Sequence, residues 1–147
     1  MNKTYIYLCI ILLFCSYSFA ETNQKLRAKF VLKSMQQEYT ECYAFYKIGA
    51  ESVRQSNKNS DIADNIEQSA DIALKLTYET GELLGINTDI MKNKVKEEIK
   101  IQLDKIKNNF SNPEELLKKY ARSCKNLLEN KESRINYWEK KAQSKYK

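Results

Sequence analysis

Apolar residues in this chain recur every three or four positions and nowhere alternate strictly, the spacing of helix faces rather than of strands. Val31, Met35, Tyr39, Cys42, Tyr46, Ala50 and Val53 trace one continuous stripe, which predicts a helix over about 22–57. Gly49 weakens it locally by roughly 1 kcal/mol relative to alanine, and the polar run from Ser56 to Ser60 ends it. A second helix, over about 61–84, is expected to turn Ile62, Ile66, Ala70, Ala73, Thr77 and Leu84 inward. Asp61, Asp64 and Glu67 lie in its first turns, where carboxylates complement the positive end of the helix dipole. Gly85 followed by Ile86 reads as a Schellman stop, with glycine in the left-handed position and isoleucine packing back.

Asn87 or Thr88 can cap a third helix over about 88–108, with Met91, Val95, Ile99, Leu103 and Ile106 on its inner face and Phe110 beyond. A fourth helix, over about 113–143, has the strongest local start signal in the chain. Asn112 stands as N-cap, Pro113 as the first helical residue, and Glu115 where a capping box wants an acid. Leu117, Tyr120, Cys124, Leu127, Leu128, Ile135, Trp138 and Ala142 carry its apolar face onward, interrupted by Lys131. The pattern predicts an all-α fold, an up-down-up-down four-helix bundle with long, antiparallel first and last helices. Setting Cys42 opposite Cys124 brings Val31 near Ile135, Tyr39 near Leu127 and Tyr46 near Tyr120, and leaves residues 24–30 beside 136–142 as a two-helix projection.

The first twenty residues read as a secretory leader to be cleaved after Ala20. Lys3 is followed by the apolar run Tyr5 to Phe14, then Ser18-Phe19-Ala20, with no acid before Glu21. The run is short of the roughly 18 residues that span a bilayer. A single helical domain over 21–147 remains, secreted or periplasmic, with Cys42 and Cys124 as its two cysteines. In an oxidising compartment the pair predicts a disulfide between the outer helices.

Charge is unevenly spread. Residues 21–90 hold 8 basic and 11 acidic side chains, whereas residues 91–147 hold 16 and 8. This asymmetry suits an anionic partner: a membrane surface, a glycan or an acidic protein. Export makes nucleic acid an unexpected partner. The last helix concentrates the signal, and Lys131, Arg134, Tyr137, Trp138, Lys140 and Lys141 are the candidate partner-binding residues, cations interleaved with amphipathic aromatics.

The absence of histidine excludes Ser-His-Asp and Cys-His catalysis and histidine-ligated zinc or haem. No Cys-x-x-Cys pair or glycine-rich phosphate loop occurs, and no cofactor is expected. Paired carboxylates remain for an enzyme. Glu79 with Glu82, or Glu38 with Glu41, could serve a small hydrolase of envelope glycans, the alternative to a non-enzymatic binding or adaptor module. The series Asp61, Asp64, Glu67 and Asp71 has the spacing of a solvated helix face, unlike the compact loop that wraps calcium. Tyr39, Tyr43 and Tyr46 flank Cys42 on one face and are expected to pack around the disulfide. Asn109-Phe110-Ser111 matches a glycosylation sequon at a helix junction.

Overall fold

The computed structural model describes the backbone of residues 3–56 and 60–147, and side chains over 23–56 and 61–147. The expected leader lies outside the residues with described side chains. The fold is all-α: α1 (Lys3–Gln55), α2 (Ser60–Leu83), α3 (Thr88–Lys105), α4 (Glu114–Glu129) and α5 (Lys131–Lys145). Among the described residues, no helix is long and apolar enough to cross a membrane.

Five helices stand where the periodicity marks four, because Asn130 divides the last. Its backbone leaves the helical region (φ −136°, ψ 59°), and its side chain accepts a 3.2 Å hydrogen bond from the Ser133 amide, capping α5 afresh. The apolar stripe runs on through both pieces, which is why it conceals the break.

All four later helices pack on α1, which acts as a common spine. Lys47 pairs with Glu67 and Arg54 with Asp64, so α2 returns along α1. The disulfide Cys42–Cys124 forms as expected, with Cα atoms 5.4 Å apart and both residues buried, and locks α4 to the spine. Around it lie Met35, Tyr39, Phe45, Ile48, Ala73, Ile106, Leu116, Tyr120 and Leu127, with Tyr43 and Tyr46 packed against them. Burial pushes the Tyr39 phenol up to about 12, and raises Tyr43 and Tyr46 as well, in keeping with a packing role for this tyrosine group.

Several details differ from the expectation. On α2 the inner residue is Ala63, not Ile62, whose side chain is 50% exposed. A row of small residues on α2 (Ala63, Ala70, Ala73, Thr77) is buried, as are Ala44 and Ala50 on α1, the helix it packs along. On α4, Leu116 is buried and Leu117 exposed. On α3, Glu98 and Gln102 join Met91 and Val95 on the buried side, while Ile99 and Leu103 are half-buried. The capping box at Asn112 does not form. Pro113 is the N-cap residue without a side-chain cap, and the Asn112 amide is drawn into a turn by the Asn109 carbonyl. The acids of α2 are not simply solvated: Glu67 binds both Lys47 and Arg54, and the Lys47 contact holds its carboxyl below the usual range.

The helix ends follow local chemistry. Gly85 takes φ 69°, its amide donates to Glu82 and the Ile86 amide to Gly81, completing the expected Schellman motif. Asn87 caps α3 through a 2.7 Å bond from the Asp89 amide. That helix then closes through the left-handed Lys107 and Asn108.

Two stability outcomes follow. Replacing both cysteines by alanine removes a cross-link over a sequence separation of 82, and denaturant unfolding should record a loss of about 4 kcal/mol. Gly85→Ala should cost about 1 kcal/mol in the same assay, since a Cβ is strained at this φ although the space around it is open.

Candidate functional site

The fifth helix reaches its place through contacts made with the described N-terminal part of α1. Arg134 grips Glu38, with Nε 2.8 Å from Oε2 and Nη2 on Oε1. Trp138 meets the Phe30 ring edge-on, centroids 5.9 Å apart, and Tyr146 meets it at the same distance on another side. Arg27 closes the end, donating from Nη2 to the Tyr146 carbonyl at 2.7 Å. Ala142 is buried between these anchors. Each interaction is longer in sequence than any helical pattern, so only the assembled fold reveals it.

The six candidate binding residues therefore divide. Arg134 is committed to Glu38 and stacks over Tyr137 at 4.3 Å and Trp138 at 5.3 Å, so it organises the face. Trp138 is half-buried against Phe30. Lys131, Lys140 and Lys141 are exposed, and Tyr137 is 41% exposed with the Lys141 ammonium 5.7 Å from its ring centroid. Solvent meets a tyrosine ringed by cations.

Behind this face, α1, α3 and α5 enclose a cleft of about 570 Å3. Lys29 and Lys33 of α1, Lys94 of α3 and Lys145 of α5 border it, alongside Phe30, Trp138 and Tyr146. Lys94 belongs to α3, so three helices meet where a two-helix projection is expected. Lys29, Lys33 and Lys94 have no carboxylate within ion-pair distance among the described residues, while Lys145 lies 4.7 Å over the Phe30 ring. Of the two acids on the rim, Glu38 is paired with Arg134, while Glu41 accepts from the Gln37 amide at 3.0 Å and keeps its charge. Two buried donors in the walls, Gln36 Nε2 and Trp138 Nε1, have no acceptor. A buried polar atom without a partner costs about 1–3 kcal/mol; Tyr39 Oη and Gln102 Oε1 are likewise unpartnered elsewhere, but only Gln36 and Trp138 line this cleft. Sequence reasoning missed Lys29, Lys33, Gln36 and Lys94: the first three share one face of α1 by their spacing, but nothing local links that face to Lys94 or to α5.

Basic surface continues past the helix break. A groove of about 790 Å3 along α4 and α5 is bordered by Lys119, Arg122, Arg134 and Tyr137, with the disulfide in its floor. A third concavity, about 680 Å3, opens between α2 and α4 over α1, walled by Phe45, Ile48, Val53, Phe110, Leu116 and Leu128. Its rim charges, Lys125 and Glu129, face each other 4.0 Å apart and offer an anion no net attraction.

Glu38 and Glu41 both line the cleft and the groove beside α5, whereas Glu79 and Glu82 line neither. Glu79 is exposed beside Lys75 and Glu82 is exposed on the following turn, and neither lines the clefts above. Glu38 is bound to Arg134. The carboxyl with a raised pKa is Glu98, lifted chiefly by burial, and it sits between α3 and α1, accepting from Gln102 Nε2, which also donates to the Glu41 carbonyl at 2.9 Å. Among the described residues, no group of three or more Cys, Asp or Glu is placed to hold a metal ion. Asn109 of the sequon is exposed, its side chain accepting from the Ser111 amide. Comparison with known proteins found no matching family model, no matching curated protein and no matching solved structure.

The Glu98 environment sets a pH dependence. A carboxyl whose folded pKa is raised takes up its proton earlier in the folded state than in the unfolded one. Its contribution to stability therefore improves as pH falls through the raised value and is least favourable at neutral pH. Glu98→Gln keeps the acceptor for Gln102 without the charge. Thermal unfolding should show it stabilised at pH 7, with the difference from wild type shrinking toward pH 4.

Proposed function

We propose that this is an exported, non-enzymatic binding protein that holds an anionic partner on the basic, aromatic face built by α5 with α1 and α3. The observation that carries the reading is the cluster of lysines around Trp138 without carboxylate partners, at the end of the molecule where Glu38 is engaged by Arg134. Unpaired like charges held together repel one another, and that cost is recovered when an anion arrives. Export is supported by the leader-like residues 1–20 and fits the buried disulfide, which persists in an oxidising compartment.

The same surface argues for a discrete polyanion over a bilayer. Among the described residues at this end, Leu26 and Tyr137 are the exposed large hydrophobic ones, a small apolar area for an interfacial helix. A glycan or other acidic chain can instead lie along the lysines and enter the cleft.

Retention on an immobilised sulfated polysaccharide tests the reading. The wild-type protein should elute at a salt concentration well above that of the Lys131→Glu/Lys140→Glu/Lys141→Glu variant, because the attraction is between exposed charges and is screened by salt. Elution of both at the same low salt would refute it. Circular dichroism should show the variant fully helical, since these three side chains are exposed.

A further inference from the structure

We infer that the cleft between α1, α3 and α5 is a recognition pocket for a single oxyanion group carried on a saccharide ring, a sulfate ester or a uronic carboxylate. The inference rests on the reading of this end as an anion-binding face, and goes beyond it by assigning the ligand group and the residues that receive it.

Three properties of the cleft define the ligand. First, the groups in need of partners are donors. Gln36 is 1% exposed and its Nε2 has no acceptor, and the half-buried Trp138 holds Nε1 away from solvent without one. The complementary group must bring acceptor oxygens. Second, Lys33 and Lys94 stand on neighbouring helices at the same cleft without a counter-charge, so a neutral carbonyl would leave them as they are, whereas an anion satisfies them. Third, the remaining wall is aromatic, from Phe30, Trp138 and Tyr146, and about 570 Å3 is room for a ring as well as its acidic substituent. The negative faces of such rings suit the polarised C–H face of a sugar better than a second charge. The Gln36 amide can turn its N–H toward an incoming oxygen about its terminal torsion, which has broad minima.

The cleft also explains an apparent defect of the free protein. An isolated helical domain has no stability reason to keep Gln36 at a buried position beside Met35 when an apolar side chain of similar volume would avoid the lost hydrogen bond. A recognition residue does keep it, because the lost bond is regained on binding. Affinity and stability should therefore move in opposite directions when this residue is changed.

Titration calorimetry on the full chain with its disulfide intact provides the test, using a sulfated oligosaccharide, an oligouronide, inorganic sulfate and phosphatidylglycerol vesicles as separate probes. One or both oligosaccharides should bind, inorganic sulfate should compete with them, and the stronger of the two names the source of the oxyanion. Gln36→Met should weaken binding about tenfold, the loss of one hydrogen bond to a charged group, while its thermal midpoint holds or rises. Trp138→Phe should weaken binding similarly with the ring kept, and Lys33→Ala/Lys94→Ala should weaken it by more than tenfold. Unchanged affinity in Gln36→Met and Lys33→Ala/Lys94→Ala, alongside loss of binding in the α5 charge-reversal variant, would overturn the pocket and leave the surface reading standing. Binding to the vesicles but to neither oligosaccharide would overturn the ligand assignment. Failure to bind any anionic probe would end both readings.

Discussion

The constraint on which the structure depends is that one helix serves as neighbour to all the others. Because α2, α3, α4 and α5 each pack on α1, that helix is buried on more than one side, and a single apolar stripe cannot meet the demand. Its buried set includes Gln36, Thr40, Ala44 and Ser52 besides the expected Met35, Tyr39 and Cys42. The hydroxyls are accommodated locally: Thr40 and Ser52 donate back to the carbonyls of Gln36 and Ile48, and Thr77 on α2 does likewise to Ala73. Small side chains then let α2 lie close, and the disulfide joins α4 to the middle of the spine. Closure of that long loop limits the unfolded chain, whatever the partner helices do.

The ion pairs of the fold shape its surface. Glu67 gathers Lys47 and Arg54 to hold α2, and Glu38 holds α5 through Arg134. Glu98 is taken inside by Gln102. A chain with 25 basic and 19 acidic side chains that spends acids on internal struts leaves its lysines facing water in excess. Their accumulation near Trp138 is thus linked to how the helices are fastened. The Arg134–Glu38 pair does both tasks at once, anchoring α5 and withdrawing the nearest carboxylate from the lysine cleft.

On the proposed reading, binding and stability are in tension at that end of the molecule. Gln36 and Trp138 hold donors that the free fold does not satisfy, and Lys94 is half-buried without a counter-ion. These features cost the isolated domain stability, and the cross-link, by restricting the unfolded chain, adds to it. Such local conflict with an otherwise consistent pattern is where recognition is expected to be built.

Much of the architecture was legible along the chain. Helix type, the stop at Gly85 with Ile86 and the Asn87 cap depend on residues within one turn, and Cys42 and Cys124 are the two cysteines beyond the expected leader. The break at Asn130 was also written locally, in an asparagine three residues before the Ser133 amide, but the apolar stripe crossing it hid the signal. Other choices had no local signature. Ala63 over Ile62 and Leu116 over Leu117 depend on how closely two axes approach, which is a property of both helices together. The lysine cleft joins residues 29, 33 and 36, which share one face of α1, to 138 and 145 on one face of α5 and to Lys94 of α3, and no spacing along the chain relates the three helices. Periodicity reports which face of a helix is apolar; which faces meet, and which charges are left over once they have, is settled by side chains far apart in the chain acting jointly.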